Sequence, residues 1–202
     1  NTIRQLFGTL IFEILYTTHN GNQLFELNDD LLGDPEETFE VCGKTYSLNF
    51  VNYFHRALMM EKYLHISNSK FLFEIGAGYG GQAEILLKMF PKLKVCLTDI
   101  PPQLYVIEQY LKSLFPGEVL GYEDTTEMQT IDSRNMGKNR VVIIAPWELN
   151  KIEDNTFENF TNQASFQEMS HDTVRRYCDE LHRLVKNGIF LYEQREGCGG
   201  VT

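Results

Sequence analysis

The sequence has 202 residues, 43% apolar and 23% charged, so it is long enough to bury a sizeable core and predicts one globular domain with an appendage. Its net charge of −10 argues against a nucleic-acid partner, because such sites need clustered lysine and arginine. No apolar run approaches the roughly 18 residues that cross a bilayer, and four scattered cysteines form no CxxC pair. We therefore expect a cytoplasmic protein without a membrane span.

The first part of the chain predicts a helical cap. Apolar residues recur at helical spacing over 2–18 and again over 50–65. Between them, the alternating segment 38–48 around Cys42-Gly43 predicts a small β-hairpin. We expect residues 1–66 to form this N-terminal cap. The chain starts without methionine and stops at EGCGGVT, which leads us to expect a piece of a longer protein.

From residue 70 onward the pattern alternates between strands and helices. Strands are predicted at 70–75, 94–98, 118–122, 140–144 and 189–193, and helices at 80–90, 102–115 and 171–186. Residues 145–170 are interpreted as a long connection, and Asn187-Gly188 as the C-cap of the last helix. Repeated β–α units predict a parallel sheet with helices on both faces. The expected fold of residues 67–202 is therefore α/β, a Rossmann-like doubly wound and mostly parallel sheet.

A glycine-rich turn joins the first of these strands to its helix. Gly76, Gly78 and Gly81 satisfy the GxGxxG pattern of dinucleotide-binding proteins, whereas Gly76, Gly78 and Gly80 satisfy the GxGxG pattern of methyltransferases. Glycines let the backbone approach a ligand closely, because they carry no Cβ. The pattern alone leaves both ligands open.

Two acidic residues favour S-adenosylmethionine (SAM) over NAD. Glu74 lies within an otherwise apolar strand, where a carboxylate is costly without a partner and can meet the cationic amino-acid part of SAM. Asp99 ends the second strand, where a carboxylate can accept both ribose hydroxyls. Two alternatives remain for this turn. It could bind NAD(P) in an oxidoreductase, or it could be a glycine-rich turn that binds no ligand.

Several segments together resemble the family of sugar O-methyltransferases, which are class I SAM-dependent enzymes. The segments are FEIGAGYGG, CLTDIPPQL, VVIIAPWEL and FTNQASFQEMS, and the resemblance covers roughly residues 50 to 196. It implies a Rossmann-like methyltransferase fold, SAM as methyl donor and a sugar hydroxyl as acceptor. Carried over position by position, it implies that the cofactor is lined by Glu74, Gly76, Ala77, Gly78 and Asp99.

Further cofactor contacts are expected nearby. Tyr79 and Gly80 lie in the turn, and Tyr79 could close over the methionine part of SAM or face solvent. Ile100 could pack on the adenine, or could simply fill the core. Asp124 stands where adenine-contacting residues often lie, although the acidic run around it is also typical of a solvated loop.

The connection 145–170 is expected to bind the acceptor, because it leaves the carboxyl end of a strand and is too long for a turn. Its candidate acceptor-binding residues mix planar rings with polar groups, as a sugar requires: Trp147, Asn162, Ser165 and Phe166. Glu168 and His171 are the candidate catalytic bases, although His171 could be an ordinary first-turn helix residue. No compact carboxylate cluster predicts a metal. A phenolic or lipid-like acceptor, and a non-catalytic SAM-binding module, stay open, as does the oligomeric state.

Overall fold

The computed structural model describes residues 26–132 and 136–192, together with Leu6, Gly8–Leu10, Phe12 and Glu13. The described residues divide into two compact units. One takes the residues up to Ser67 with Gly81–Pro91, and the other takes Asn68–Gly80 with the residues from Lys92 onward. Most of the predicted helix 2–18 lies outside the described residues, and the domain boundary after residue 66 stays a prediction.

The first unit contains the predicted hairpin, which is followed by two helices. Strands β1 (Thr38–Val41) and β2 (Lys44–Ser47) pair antiparallel. Cys42 and Gly43 both have positive φ, as the tight turn of a hairpin requires. Helix α1 (Leu48–Leu64) begins where the Ser47 hydroxyl accepts the N–H of Phe50 at 3.1 Å, and it packs along α2 (Gly81–Met89). The predicted hairpin and second helix are confirmed.

The second unit is built on a sheet of six strands, all parallel. Its order is β5-β6-β4-β3-β7-β8. The strands are β3 (Phe71–Ile75), β4 (Lys94–Thr98), β5 (Val119–Leu120), β6 (Val141–Ile143), β7 (Phe157–Gln163) and β8 (Val185–Tyr192). The chain leaves β3 in one direction, toward β4 and β6, and then returns to β7 on the other side. The strand order therefore reverses at β3, and such reversal points are where ligands bind in open α/β sheets.

Helices connect the strands on both sides of this reversal. They are α3 (Pro101–Leu114), α4 (Tyr122–Thr126) and α5 (His171–Leu184). Because right-handed crossovers running in opposite directions place their helices on opposite faces, α3 and α5 cover different faces of the sheet. Phe71, Phe73 and Ile75 of β3 pack in one buried cluster with Leu181 and Leu184 of α5. The predicted fold class is confirmed.

The largest error of the sequence analysis concerns residues 145–170. They are not a connection, because β7 lies within them, paired with β3 from Leu72↔Asn159 to Ile75↔Asn162. Short 3-10 helices, Pro146–Lys151 and Phe166–Glu168, lie before and after this strand. The polar side chains of β7 imitate a loop sequence, yet they bind the neighbouring strand: the Glu158 carboxylate accepts the N–H of Phe71 at 2.8 Å. β7 therefore lies beside β3 in the interior of the sheet.

Two smaller predictions also differ from the structure. Asn187 and Gly188 do not cap a helix, since α5 ends at Leu184 and both residues lie inside β8, where Gly188 pairs with Asn159. The acidic run around Asp124, interpreted as typical of a solvated loop, falls largely in α4, where the Asp124 carboxylate accepts the N–H of Gly121 at 3.1 Å. In both places local turn chemistry was outweighed by pairing or capping that short-range sequence patterns do not reveal.

Candidate functional site

The glycine turn, residues 76–80, follows β3 at the point where the strand order reverses. Gly76 has φ +76° and donates its N–H to the Thr98 carbonyl of β4 at 2.9 Å. A Cβ at Gly76 would lie 1.9 Å from Ser165 Oγ, so no other residue fits there without displacement. Gly78 has φ +60°, and no protein atom lies within 4 Å of the Cβ position there. The turn thus presents bare backbone beside open space.

Asp99 lies next to this turn, directly after β4. Its Oδ2 accepts the N–H of Gly78 at 2.8 Å, and its Oδ1 accepts the N–H of Ile100 at 2.7 Å. Burial raises the pKa of the Asp99 carboxyl above its usual value, these two N–H groups lower it, and the charge of Glu168 raises it further. Each carboxylate oxygen has a second lone pair, so Asp99 can shape the turn and still accept hydrogen bonds from a ligand.

Asn162 and Ser165 bind the end of β3 from the β7 side. We call the group formed by Ile75, Gly76, Asn162, Ser165 and Phe166 the β3–β7 junction. The Asn162 amide donates to the Ile75 carbonyl at 2.8 Å and to Ser165 Oγ at 2.6 Å, while its oxygen accepts the N–H of Phe166 at 3.1 Å. The Ser165 hydroxyl lies 3.3 Å from the same Ile75 carbonyl. These bonds use both amide hydrogens of Asn162, so its polar atoms hold protein together.

A strained residue lies inside this junction. Ala164 has φ +67°, a left-handed conformation that residues with a Cβ rarely adopt, and its N–H donates to the Tyr192 carbonyl at 2.6 Å. Such strain persists only where surrounding contacts hold it. The sharp bend after β7 therefore follows from the bonds on either side of it, and it brings Ser165 against Gly76.

Aromatic rings continue from the junction toward α5. Phe166 stacks between Phe160 and Tyr177, with ring centroids 6.1 Å from each. Burial, and secondarily the charge of Asp99, raises the pKa of the Tyr177 phenol. Tyr177 therefore lies within electrostatic range of the glycine turn. No sequence motif points to Tyr177; its only signal in the sequence is its place in the helix predicted at 171–186.

The other predicted site residues divide into near and distant groups. Glu168 is exposed, and its charge contributes to raising the pKa of the Asp99 carboxyl. Glu74 is only 2% exposed and lies opposite Thr161 of β7. Ala77 is buried, Tyr79 meets the Tyr110 ring edge-on at 5.0 Å, and Gly80 donates to the Ala77 carbonyl.

Three predicted residues lie at the periphery. Ile100 is 60% exposed directly after β4, so its side chain is free to meet a ligand. His171 is exposed at the first position of α5. Asp124 follows β5, the outermost strand, and β6 separates that strand from β4. The structure therefore does not bring Asp124 to the glycine turn, and its carboxylate is engaged by Gly121.

Two buried hydroxyls in this region lack a partner within the described part of the chain. Thr98 Oγ1 and Thr161 Oγ1 are fully buried and make no hydrogen bond there, on the two strands that flank β3. Burying an unpaired hydroxyl costs about 1–3 kcal/mol. Both threonines follow ordinary β-strand patterns, so sequence reasoning gave no reason to single them out.

The described residues contain neither a metal-binding cluster nor a membrane-spanning helix. There, no three histidine, cysteine, aspartate or glutamate side chains are arranged to hold a metal ion. Similarly, no helix of the described residues is long and apolar enough to cross a membrane.

The fold is similar to solved methyltransferase structures. A Methanococcus maripaludis protein, described as a candidate SAM-dependent methyltransferase, matches with a TM-score of 0.50 and 20% identity over 71% of this chain and 57% of its own. The mitomycin 7-O-methyltransferase MmcR matches with a TM-score of 0.51 and 15% identity over 93% of this chain and 45% of its own. The chain thus spans about half the length of these structures.

These similarities define the fold. The chain has the Rossmann-like α/β fold of class I SAM-dependent methyltransferases, with the glycine turn after the first strand of the parallel sheet. No protein-family model and no curated relative matches the sequence. The resemblance to sugar O-methyltransferases therefore stays a prediction.

Proposed function

We propose that this chain binds SAM over the glycine turn and transfers its methyl group to an oxygen of an acceptor. One observation carries the proposal: the Asp99 carboxylate holds the Gly78 N–H at 2.8 Å, where the strand order reverses. A carboxylate at this position can accept ribose hydroxyls while it fixes the turn. The shared fold supports the same reading, since the structures it matches include an O-methyltransferase by name.

The residues around the turn suit the parts of SAM. The open space beside Gly78 admits a ligand to the backbone, whereas the missing Cβ at Gly76 lets Ser165 pack against the turn. The exposed Ile100 side chain offers an apolar surface for adenine. We assign Glu74 to the cationic amino group, because the resemblance to methyltransferases implies a cofactor-binding carboxylate at this buried position of β3. Ala77, Tyr79 and Gly80 complete the lining of the turn.

The acceptor oxygen needs a base and correct placement. SAM supplies an electrophilic methyl carbon, so the main requirement on the protein is to hold the acceptor oxygen in line with it. Glu168 is our first choice to accept the hydroxyl proton, because it is exposed beside Asp99 at the same edge of the sheet. His171, at the start of α5, is the second choice.

We infer that the acceptor is a sugar hydroxyl. Support comes from the resemblance of FTNQASFQEMS to sugar O-methyltransferases and from Trp147, whose indole is 68% exposed after β6 and offers a planar surface to a sugar ring. Because the polar atoms of Asn162 and Ser165 are already bonded within the protein, we propose that these residues position the β3–β7 junction and do not contact the sugar directly. Phe166, stacked on Tyr177, shapes the wall beside them.

Calorimetry with SAM tests the cofactor assignment. We expect saturable SAM binding that weakens strongly in Asp99→Ala and Glu74→Ala, with Glu127→Gln as a control for loss of an exposed carboxylate elsewhere. NADH is titrated in parallel, and NADH binding without SAM binding would overturn the proposal in favour of an oxidoreductase. Mass spectrometry of a panel of glycans and phenols incubated with SAM then identifies which acceptor gains a methyl group. A methylated phenol with unmodified glycans would reject the sugar.

A further inference from the structure

An open cavity lies between the 3-10 helix that follows β6 and the first turns of α5. Its volume is about 530 Å³, which is within the range of pockets for small organic ligands. One wall is formed by the 3-10 helix, with Trp147 and Asn150, and the other by α5, with Arg176, Tyr177, Asp179 and Glu180. Among these residues, only Trp147 is predicted from the sequence to bind a ligand.

Two aromatic side chains give the cavity its apolar surface. Trp147 is the single tryptophan of the chain, and its side chain is 68% exposed although it is large and apolar. Tyr177 is half-buried, with its ring stacked on Phe166. Exposed planar rings are suited to the apolar face of a sugar ring, because the sugar covers the ring surface while its hydroxyls point outward to polar groups.

The polar groups of the cavity are free to bind such hydroxyls. The side chains of Arg176, Asp179 and Asn150 make no hydrogen bond or ion pair with any other residue that the structure describes. A guanidinium offers donors, a carboxylate offers acceptors, and an amide offers both. Together they match a ligand that carries several hydroxyl groups, each of which donates and accepts.

The charges of the cavity favour a neutral ligand. Arg176 and Asp179 carry opposite charges, so they balance. Glu180 is neutralised by Arg183, whose guanidinium lies 2.6 Å from its carboxylate. With no net positive charge, the cavity gives little attraction to a phosphate or a carboxylate, and Asp179 would repel either of them.

We propose that this cavity binds a neutral sugar, with the sugar ring on the Trp147 indole and its hydroxyls between Arg176 and Asp179. Tyr177 connects the cavity to the β3–β7 junction, because its ring lines the cavity and stacks on Phe166. The inference rests on the proposed function in one respect only, namely that the bound sugar is the methyl acceptor or part of it. Sugar binding itself requires no SAM and is measured separately.

Trp147 provides the measurement, because all tryptophan fluorescence of the described chain comes from this cavity wall. The chain is titrated without SAM against neutral methyl hexosides, hexose phosphates, hexuronic acids and simple phenols. We expect a saturable change in emission with a neutral hexoside and weaker binding of the charged sugars. Arg176→Gln and Asp179→Asn should each weaken hexoside binding about 3- to 10-fold, as expected for one lost hydrogen bond.

Arg175→Gln is the matched control. Arg175 precedes Arg176 on the same helix but does not line the cavity, and it pairs with Asp172 at 3.5 Å. Its substitution should leave hexoside affinity unchanged. Equal weakening by Arg175→Gln and Arg176→Gln, tighter binding of charged sugars or phenols, or no response to any sugar would each overturn the inference.

Calorimetry with SAM separates the two proposals. Arg176→Gln and Asp179→Asn should keep wild-type SAM affinity, because neither residue lies at the glycine turn. Sugar binding without SAM binding would reject the proposed function and leave the cavity assignment intact. SAM binding without sugar binding would do the reverse. Methyl transfer to the hexoside, reduced in Arg176→Gln through a raised KM at unchanged kcat, identifies the bound sugar as the acceptor.

Discussion

The two flanks of β3 use polar side chains in opposite ways. On the β4 side, Asp99 accepts two backbone N–H groups and keeps lone pairs for a ligand. On the β7 side, Asn162 uses both amide hydrogens and its oxygen in bonds to protein atoms. One of these bonds goes to the Ile75 carbonyl, which also accepts from the Ser165 hydroxyl. The polar groups on the β4 side can therefore bind a ligand, whereas those on the β7 side hold the protein backbone together. Both sides carry residue types that a sequence motif would assign to ligand binding.

The largest expected effect lies where the two flanks meet, at Gly76. In Gly76→Ala the new Cβ would lie 1.9 Å from Ser165 Oγ, on a backbone with φ +76°. We expect the free energy of unfolding to fall by about 2–4 kcal/mol, from strain and crowding together. Urea denaturation measures the change. The double variant Gly76→Ala/Ser165→Gly should recover part of the loss, because it removes the crowding and keeps the backbone strain; no recovery would show that the contact with Ser165 is unimportant.

The next prediction asks whether Asp99, on the β4 side, binds the cofactor or only shapes the turn. In Asp99→Asn one carboxylate oxygen becomes an NH₂ group, which cannot accept from Gly78 or from a ribose hydroxyl. We expect SAM affinity to fall about 10- to 100-fold, in line with the loss of hydrogen bonds to a charged group. Isothermal calorimetry measures the affinity. An affinity within twofold of wild type would mean that Asp99 shapes the turn without binding the cofactor.

On the β7 side the effect should appear mainly in stability. Asn162→Ala leaves the Phe166 N–H without its acceptor and removes two donors, which should lower the free energy of unfolding by about 1–3 kcal/mol. Asn159→Ala is the matched control, since Asn159 binds Ser69 at the opposite end of β7. Both variants should lose stability, and neither should raise the KM for the acceptor. A raised acceptor KM at full stability in Asn162→Ala would make Asn162 a direct ligand instead.

The smallest effect is a pH dependence of stability. Because the pKa of Asp99 is raised on folding, the folded state holds this proton more tightly than the unfolded state. Its contribution to stability is therefore present below the usual aspartate pKa and is lost as the pH rises through the raised value. The difference in unfolding free energy between wild type and Asp99→Asn should shift in that direction across the mildly acidic range. A difference that does not change with pH would contradict the raised pKa.

The same contrast explains what the sequence could predict. The β4 flank follows simple rules, because apolar runs end in glycines or an acid, and the predicted strand 94–98 coincides with β4. The β7 flank breaks them. Its segment FENFTNQ is mostly polar, whereas central parallel strands are normally apolar, so its composition predicts part of a loop. Its polar groups are satisfied by distant residues such as Ser69 and Ile75, and no local pattern reports such partners.

The cavity beside α5 illustrates a further limit. Arg176, Asp179 and Asn150 belong to no motif, and they come together only because the 3-10 helix after β6 lies beside α5. Trp147 could be singled out as an unusual residue, but its neighbours depend on the position of β7, which the sequence analysis missed. A strand that the sequence analysis places wrongly can therefore hide a binding site, even when one residue of that site is identified correctly.

The glycine turn also has a consequence for hydrogen exchange. The Gly76 N–H donates to Thr98 and the Gly78 N–H donates to Asp99, so both amides are protected by contacts with β4 and the residue after it. The Phe166 N–H is protected separately, by Asn162 on the β7 side. Separation of β3 from β4 would expose the Gly76 and Gly78 amides in one opening event, so their exchange rates should report a single opening free energy, and that of Phe166 a different one.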